Sequence, residues 1–265
     1  MEQEELLEQD TSNNMTFNET IKVISEFLEV AFHNILYTRK VYPADLFEQR
    51  KKYEVPVFVS RHPLLTSYIS GVVSQSAEEI SKGLVNKLVL AIQDGTTPPY
   101  EPLEHYVFDL QYLVDPITTF EDEGDRDIRP ISAYGTLADA QVHLRAFLIK
   151  INQSESLISK LPNRELTWTT FLELNDPTKE PLSGSTKKLD LPPQWVPADD
   201  PTTLKNQVQA SINSKDFSLK SAPGFENQKK KLIPLKSQGL GMIQLQMFVI
   251  EHPLKANLFQ QDLNA

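Results

Sequence analysis

The sequence predicts an α+β protein in which three helices pack on an antiparallel β-sheet. Three long stretches carry apolar residues at helical spacing, and several shorter stretches carry the apolar pattern of strands. Asp94-Gly95 opens the turn of a hairpin between two of those strands. Because helices and strands do not alternate one by one, the order favours segregated layers over a parallel α/β sheet.

The first helix is predicted to begin after Thr16 and to end near Val41. Thr16 and Glu19 have the spacing of a capping box, in which each side chain satisfies the other's backbone N–H. Pro43 sets the end because it restricts the backbone of the residue before it. A broad apolar stripe predicts a central, mostly buried helix, and its members are Ile21, Ile24, Phe27, Leu28, Ala31, Ile35 and Leu36.

Two further helices follow. Pro63 occupies a first helical position after His62, and Gly83 is a plausible C-terminal cap for the second helix. Its apolar face consists of Leu65, Ile69, Val72, Val73 and Ile80. The third helix is expected over 135–159, and Leu161-Pro162 ends it. Its stripe consists of Leu137, Leu144, Phe147, Leu148, Ile151 and Ile158.

The strands are predicted from apolar and β-branched runs. Residues 84–92 and 105–110 form the hairpin, and 165–174 has strand composition. Two more strands are predicted, at 232–236 and at 242–251. In 242–251, apolar residues alternate as in a half-buried strand. Residues 175–230 are rich in proline, serine, threonine and lysine, so we interpret them as a long, mobile segment.

Composition narrows the class of protein. A length of 265 residues suits one large or two small domains, and a net charge of −10 disfavours coating of a nucleic acid. The absence of cysteine excludes disulfides and thiolate metal sites. No apolar run is long enough for a membrane span, and the acidic start at Met1 has the wrong sign for a secretory or mitochondrial signal. We therefore expect the cytoplasm or the nucleus.

No catalytic motif is present. The five histidines have no spacing typical of metal ligands, so we interpret them as structural or exposed: His33, His62, His105, His143 and His252. The acidic run at 115–130 could bind a metal but lacks EF-hand spacing, which favours a solvated loop. The open alternatives are a hydrolase that uses His105 and direct DNA binding through short basic runs such as Arg50-Lys51-Lys52. We expect no cofactor.

Several strings resemble one known family. Ile35-Leu36-Tyr37-x-Arg39-x-x-Tyr42-Pro43 is similar to the end of the first helix of HORMA domains. Other strings resemble the branch of non-catalytic subunits of the translesion DNA polymerase zeta, and they are Arg50-Lys51-Lys52-Tyr53-x-Val55-Pro56-Val57, His62-Pro63, Leu144-Arg145-Ala146-Phe147, Trp195-Val196-Pro197-Ala198-Asp199 and Leu232-Ile233-Pro234-Leu235-Lys236. The chain is about 20 residues longer than the family form between Trp195 and Leu232.

The resemblance implies domain boundaries. Residues 1–15 would be a disordered acidic tail, and 16–175 would form the HORMA core. A "safety-belt" region would span 176–255, with a mobile insertion near 204–231, and 256–265 would be a C-terminal tail. In this family the belt wraps around a partner peptide, which adds to the sheet as a strand.

The resemblance also implies roles for particular residues. Tyr68 and Trp195 would contact a proline-containing peptide of the polymerase catalytic subunit. Leu232, Gln246 and Phe248 would bind the C-terminal domain of the scaffold translesion polymerase, a deoxycytidyl transferase. Arg145 would lie at the contact of a HORMA homodimer. The implied function is a nuclear adaptor in translesion synthesis with no enzymatic activity, and the alternative is a HORMA signalling adaptor in a mitotic or meiotic checkpoint.

Overall fold

The computed structural model describes residues 14–96, 98, 100–113, 135–174 and 230–263. Four helices lie in these ranges: α1 (Phe17–Thr38), α2 (Pro63–Ser81), α3 (Leu137–Leu157) and α4 (Pro253–Leu263). A short 3-10 helix (Ala44–Leu46) follows α1. Among the described residues, none of the helices is both long and apolar enough to cross a membrane.

The predicted capping box is present at the start of α1. The N–H of Thr16 donates to Glu19 Oε2 at 2.8 Å, and the N–H of Glu19 donates to Thr16 Oγ1 at 3.2 Å. The helix ends at Thr38, a few residues before the predicted end, because Lys40 adopts a left-handed backbone with φ 55°. The N–H of Val41 then donates back to Leu36 O at 3.0 Å, which closes the last turn.

A two-stranded sheet after α1 was not predicted from the sequence. Strands β1 (Phe47–Lys52) and β2 (Val55–Ser60) pair antiparallel around Tyr53 and Glu54, which have φ values of 47° and 62°. Two positive φ angles at the centre of a two-residue hairpin favour asparagine and glycine. Because tyrosine and glutamate carry no turn signal, the hairpin could not be recognised from local composition.

A five-stranded antiparallel sheet forms the second layer, with the strand order β5-β3-β4-β7-β6. The strands are β3 (Val85–Asp94), β4 (Pro102–Tyr112), β5 (Leu166–Leu174), β6 (Lys231–Leu240) and β7 (Ile243–Glu251). The C-terminal hairpin β6–β7 therefore lies beside β4, at the edge opposite β5. The predicted strands are all present, and β4 and β6 extend beyond their predicted bounds.

Aromatic side chains join the two layers. Phe27 of α1 contacts Phe108 of β4 and Phe147 of α3, with ring centroids 6.3 and 5.6 Å apart, respectively. Phe32 packs on Phe108 at 5.9 Å. All of these rings are fully buried. As predicted, α1 is a central helix, because one face meets the sheet and another meets α3.

Most of the segment 256–265, which was expected to be a C-terminal tail, lies in helix α4, a helix that was not predicted. Lys255 in its first turn is 1% exposed, and Leu258 is 8% exposed. The helical pattern in this segment is weak, and the apolar residues alone did not indicate burial. Tertiary contacts to Lys255, a residue type normally at the surface, fix the helix in place.

His33 is a buried histidine that joins α1 to β2. Its side chain is 2% exposed, and its Nδ1 accepts the N–H of Ser60 at 3.3 Å. The neighbouring Asn34 Oδ1 accepts the N–H of Phe58 at 3.2 Å. Burial lowers the pKa of His33 to about 4. The folded protein therefore holds His33 neutral, with Nδ1 available as an acceptor.

We expect stability to fall between about pH 6.5 and 4, because the unfolded chain protonates His33 in that window and the folded protein does not. The contribution is fully present above about pH 6.5 and decreases by up to about 3 kcal/mol as the pH falls to 4. Urea denaturation at several pH values measures it. A His33→Gln variant keeps an acceptor without titrating and should show a flatter pH dependence. Equal slopes for both proteins would contradict this assignment.

Candidate functional site

Strand β5 forms an edge of the sheet. Among the described residues, it is hydrogen-bonded to β3 on one side and ends the strand order. Its sequence, Leu-Thr-Trp-Thr-Thr-Phe-Leu-Glu-Leu, contains no proline, lysine or glycine. Strand β6 at the other edge carries Pro234, Lys231 and Lys236, which discourage pairing with another strand. Of the two edges, β5 is therefore the one suited to accept an additional strand.

Trp168 anchors β5 to the helical layer. The side chain is 8% exposed, and its ring meets Phe32 of α1 edge-on, with centroids 6.3 Å apart. The indole Nε1–H donates to the hydroxyl of Tyr42 at 3.0 Å. Sequence composition predicted a strand here, but it carried no signal for these contacts, since the partners lie far away along the chain.

Tyr68 stands beside this tryptophan and remains half exposed. The two rings meet edge-on with centroids 5.2 Å apart, and Tyr68 is 52% exposed. Leu64 precedes it by one turn of α2 and is 76% exposed. Tyr68, Leu64 and Trp168 form what we call the edge wall. Of these, Tyr68 was predicted as a site residue and the other two were not.

The start of β5 is held by a close backbone contact with the end of β3. The N–H of Gly95 donates to Glu165 O at 2.8 Å. A Cβ atom at position 95 would lie 3.2 Å from that carbonyl oxygen and 3.3 Å from Thr167 N. A side chain at position 95 would therefore crowd the backbone of β5, and glycine allows this close approach at the start of the edge strand.

The other predicted peptide contact, Trp195, lies outside the described residues. Its role as part of a safety belt stays a prediction.

The three residues predicted for a second partner do not share one exposed surface. Leu232 on β6 is 44% exposed, whereas Phe248 on β7 is 6% exposed and packs with Val89, Val107 and Ile250. The side-chain amide of Gln244 on β7 donates a hydrogen bond to Ser237 Oγ on β6 at 3.2 Å, so these two side chains lie on the same face of the hairpin. Side chains alternate between the two faces along a strand, so the odd-numbered residues of β6 share this face with Gln244, Gln246 and Phe248. Leu232 therefore lies on the opposite face. The sequence-based grouping of these three residues as one interface stays a prediction.

Arg145 is exposed on α3, as a contact residue requires. It lies close enough to Glu54, in the turn between β1 and β2, to act on that carboxyl. The hydrogen bond from Lys51 is the largest cause that lowers the pKa of Glu54, and the charge of Arg145 adds to it. Val142 and Ile149, one turn before and after, are 64% and 37% exposed.

Two histidines that are remote in sequence meet in the fold. The rings of His105 and His252 lie 4.4 Å apart, and His252 Nε2 is 3.4 Å from His105 Nδ1. Both side chains are buried. Among the residues that the structure describes, no cluster of three or more potential metal ligands is present. The pair supports a structural interpretation of these histidines.

The sequence of this chain matches a known protein family. Residues 20–179 match the HORMA domain family. The chain belongs to the HORMA family. This confirms the resemblance on which the sequence-based interpretation depends, and it confirms the α+β fold.

Proteins similar to this HORMA chain include some named for the mitotic checkpoint and one named for DNA polymerase zeta. The mitotic spindle assembly checkpoint protein MAD2B of Homo sapiens is 29% identical over 248 residues, which cover 93% of this chain and 98% of that protein. The DNA polymerase zeta processivity subunit of Schizosaccharomyces pombe is 34% identical over 191 residues, which cover 71% of this chain and 82% of that protein.

Solved structures show the same fold. A chain of the mitotic checkpoint complex matches with a TM-score of 0.58 at 20% identity, and the match covers 88% of this chain and 98% of that one. C. elegans HTP-2, bound to a HIM-3 closure motif, matches with a TM-score of 0.55 at 11% identity, and the match covers 88% of this chain and 90% of that one. At these identities the likeness shows the HORMA fold alone.

Proposed function

We propose that this HORMA protein is a non-catalytic adaptor subunit of DNA polymerase zeta in translesion DNA synthesis. The identity to the S. pombe processivity subunit supports the assignment to this polymerase. The observation that carries the adaptor role is the edge strand β5, which among the described residues pairs with β3 alone and lies beside the edge wall. Recognition of a peptide requires such a surface rather than reacting groups, so the proposed role needs no cofactor.

The proposed ligand is a proline-containing segment of the polymerase catalytic subunit. It would extend the sheet by pairing with β5, so that backbone hydrogen bonds supply affinity and side-chain contacts supply specificity. Proline is compatible with an added edge strand wherever its missing N–H points away from β5. Tyr68 and Leu64 would receive the apolar side chains that face the helices. Trp195, in the safety-belt region 176–255, would close over the peptide.

The edge of the hairpin β6–β7 is the proposed contact for the C-terminal domain of the scaffold translesion polymerase. Leu232 is exposed there, whereas Phe248 is held within the sheet, so we assign Leu232 the anchoring role. A HORMA homodimer would use Arg145 with Val142 and Ile149 on the exposed face of α3. Both contacts fit a bridging subunit that works in the nucleus.

Calorimetric titration with synthetic proline-containing segments of the polymerase catalytic subunit tests the peptide site. We expect one segment to bind, and we expect Tyr68→Ala and Trp195→Ala each to weaken it by about 10- to 100-fold, since buried aromatic anchors dominate such interfaces. Leu137→Ala is the matched control, because Leu137 is also a large exposed apolar residue, 49% exposed, but lies on a different helix, α3.

If both aromatic variants bound the segment with unchanged affinity, the proposed peptide site would be wrong. If none of the segments bound, the assignment to polymerase zeta would be wrong. A pull-down with Leu232→Arg tests the second contact in the same way, since loss of the scaffold polymerase domain is expected while peptide binding is retained.

A checkpoint adaptor is the second candidate function. The observation that favours it is the similarity to proteins named mitotic spindle assembly checkpoint protein MAD2B. The same β5 edge would then bind a segment of a checkpoint protein. Parallel pull-downs with the polymerase catalytic subunit and with checkpoint proteins separate the two candidates.

A further inference from the structure

A row of polar side chains crosses the large sheet near the C-terminal end of β5. Its members lie directly opposite one another on neighbouring strands, and they are Glu173 on β5, Lys87 on β3, Asp109 on β4 and Gln246 on β7. Opposite charges at facing positions of neighbouring strands stabilise each other. The row holds two carboxylates and one ammonium group, so negative charge is in excess.

The row lies on the face of the sheet that points away from the helices, which we call the outer face. Trp168 contacts Phe32 of α1, so the even-numbered residues of β5 face the helices. Glu173 is an odd-numbered residue of the same strand. Phe171, another odd-numbered residue, packs against the cluster that contains Val89. Glu173 is therefore directed to the outer face, opposite to the edge wall.

The protein uses one oxygen of the Glu173 carboxylate. Oε1 accepts a hydrogen bond from Lys87 Nζ at 2.9 Å. Oε2 is buried and accepts no hydrogen bond from the part of the chain that the structure describes. A buried polar atom normally has a hydrogen-bond partner, so this oxygen needs a donor. The side chain as a whole is 25% exposed, so rotation of the carboxylate can bring the oxygen to a donor at the edge.

Lys87 is shared between two carboxylates. Its side chain is 9% exposed, and its hydrogen bond goes to Glu173. Burial raises the pKa of Asp109, the charge of Lys87 opposes that rise, and the charge of Glu173 adds to it. One ammonium group thus acts on both carboxylates and cannot neutralise both. A second cation beside Glu173 would balance the charge of the row.

The place of Glu173 on the edge strand decides where a second cation can come from. The N–H of Gly95 donates to Glu165 O, so the odd-numbered residues of β5 direct their backbone groups towards β3. The even-numbered residues from 166 to 172 direct theirs towards the edge, where an added strand would pair. Facing residues of paired strands have their side chains on the same face. The ligand residue opposite Glu173 therefore points to the outer face.

We propose that Glu173 is a specificity-determining residue, which selects a ligand segment with lysine or arginine directly opposite it. The cation would donate to Glu173 Oε2 and continue the alternation of charge along the row. Glu173 lies five positions after Trp168, so the cation lies five residues from the ligand residue opposite Trp168. At ~3.3 Å per residue that separation is about 17 Å. This inference deepens the peptide-binding function proposed above and rests on it.

Calorimetric titration of the whole protein with variants of one ligand segment tests the preference. The starting ligand is the synthetic segment of the polymerase catalytic subunit that binds the unsubstituted protein. Each of its positions is replaced in turn by lysine and by glutamate. We expect one position at which the lysine form binds about fivefold more tightly than the glutamate form, because attraction replaces repulsion beside Glu173.

Substitutions in the protein assign this preference to Glu173. Glu173→Gln should reduce it to within about twofold, and Glu173→Lys should reverse it. Glu78→Gln is the matched control, because Glu78 also pairs with a lysine, Lys82 at 3.1 Å, but lies on α2. It removes the same charge and should leave the preference unchanged. An undiminished preference for lysine in Glu173→Gln would overturn the inference.

Lys87→Met distinguishes ligand recognition from a purely structural role of Glu173. It removes the ammonium group that competes for Glu173, so the preference for lysine in the ligand should increase to about tenfold. If Glu173 served only to hold Lys87, Glu173→Gln and Lys87→Met would each weaken the lysine and glutamate forms by the same factor. That result would contradict recognition by Glu173.

The outcomes separate this inference from the proposed function. If no segment binds the unsubstituted protein, the peptide site and the role of Glu173 are both wrong. If a segment binds but no position prefers lysine, the peptide site stands and the role of Glu173 alone is wrong. Should Lys87→Met fail to fold, Glu173→Gln still decides, because glutamine keeps the shape of the side chain.

Discussion

Replacement of Glu104 by glutamine is expected to lower the free energy of unfolding by about 3–5 kcal/mol. The carboxylate is 0% exposed and accepts bonds from both Arg39 and Lys255. A neutral amide of the same shape leaves two buried cations without that negative charge, and its NH2 group points a donor at one of them. Removal of one partner of a buried pair is costly for this reason.

Urea denaturation followed by circular dichroism measures the effect of Glu104→Gln, and Glu78→Gln is the matched control. Glu78 also pairs with a lysine, Lys82 at 3.1 Å, but its side chain is 66% exposed. Water screens that pair, so we expect a change within about 0.5 kcal/mol. Similar losses in the two variants would contradict a special role for the buried network.

Replacement of Trp168 by alanine is expected to cost about 3–5 kcal/mol of stability and to weaken peptide binding. The indole fills the space between β5 and Phe32, and it also supports the ring of Tyr68. Its loss leaves a cavity under the edge wall and lets Tyr68 move. Chemical denaturation and calorimetric titration measure the two effects separately.

The Trp168→Phe variant distinguishes the contribution of the aromatic ring to stability from that of the hydrogen bond. It keeps an aromatic ring and loses the donor to Tyr42, so we expect a cost of about 1 kcal/mol. Combining it with Tyr42→Phe should add little, because the same bond has already been removed. If Trp168→Ala left both stability and affinity unchanged, the edge wall would have no role.

The two edges of the sheet differ in a way that bears on function. Strand β6 carries a proline and two lysines, which protect an edge, and β5 carries neither. An unprotected edge risks aggregation unless another strand covers it. This asymmetry supports the assignment of peptide recognition to β5 on physical grounds, independently of any relative.

The helices and the central strands were predictable because their signals are local. Periodic apolar residues identified α1, α2 and α3, and the capping box located the start of α1 within the sequence. The β1–β2 hairpin was missed because Tyr53 and Glu54 adopt positive φ angles that neither residue type indicates. Helix α4 was missed because its burial depends on Lys255, whose partners lie on β4 and β7.

Some residues of the candidate site were predicted from the sequence, and others were identified only from the structure. Tyr68 was found through family resemblance, whereas Leu64 and Trp168 became site residues only when β5 was placed beside α2. Leu232 and Phe248 were grouped through family resemblance, and only the structure shows that strand alternation puts them on opposite faces. Sequence spacing identified the strands but did not fix how β6 pairs with β7.

The sequence by itself determined the helices, the strands of the large sheet and membership of the HORMA family, because these depend on spacing and on strings of neighbouring residues. Only the tertiary structure decided which strands end the sheet within the described part of the chain, which face each strand residue occupies and how the buried charges pair. Those features join residues such as Arg39, Glu104 and Lys255, which are 65 and 151 positions apart in their bonded pairs. Contacts over such distances arise from packing, and no local pattern encodes them.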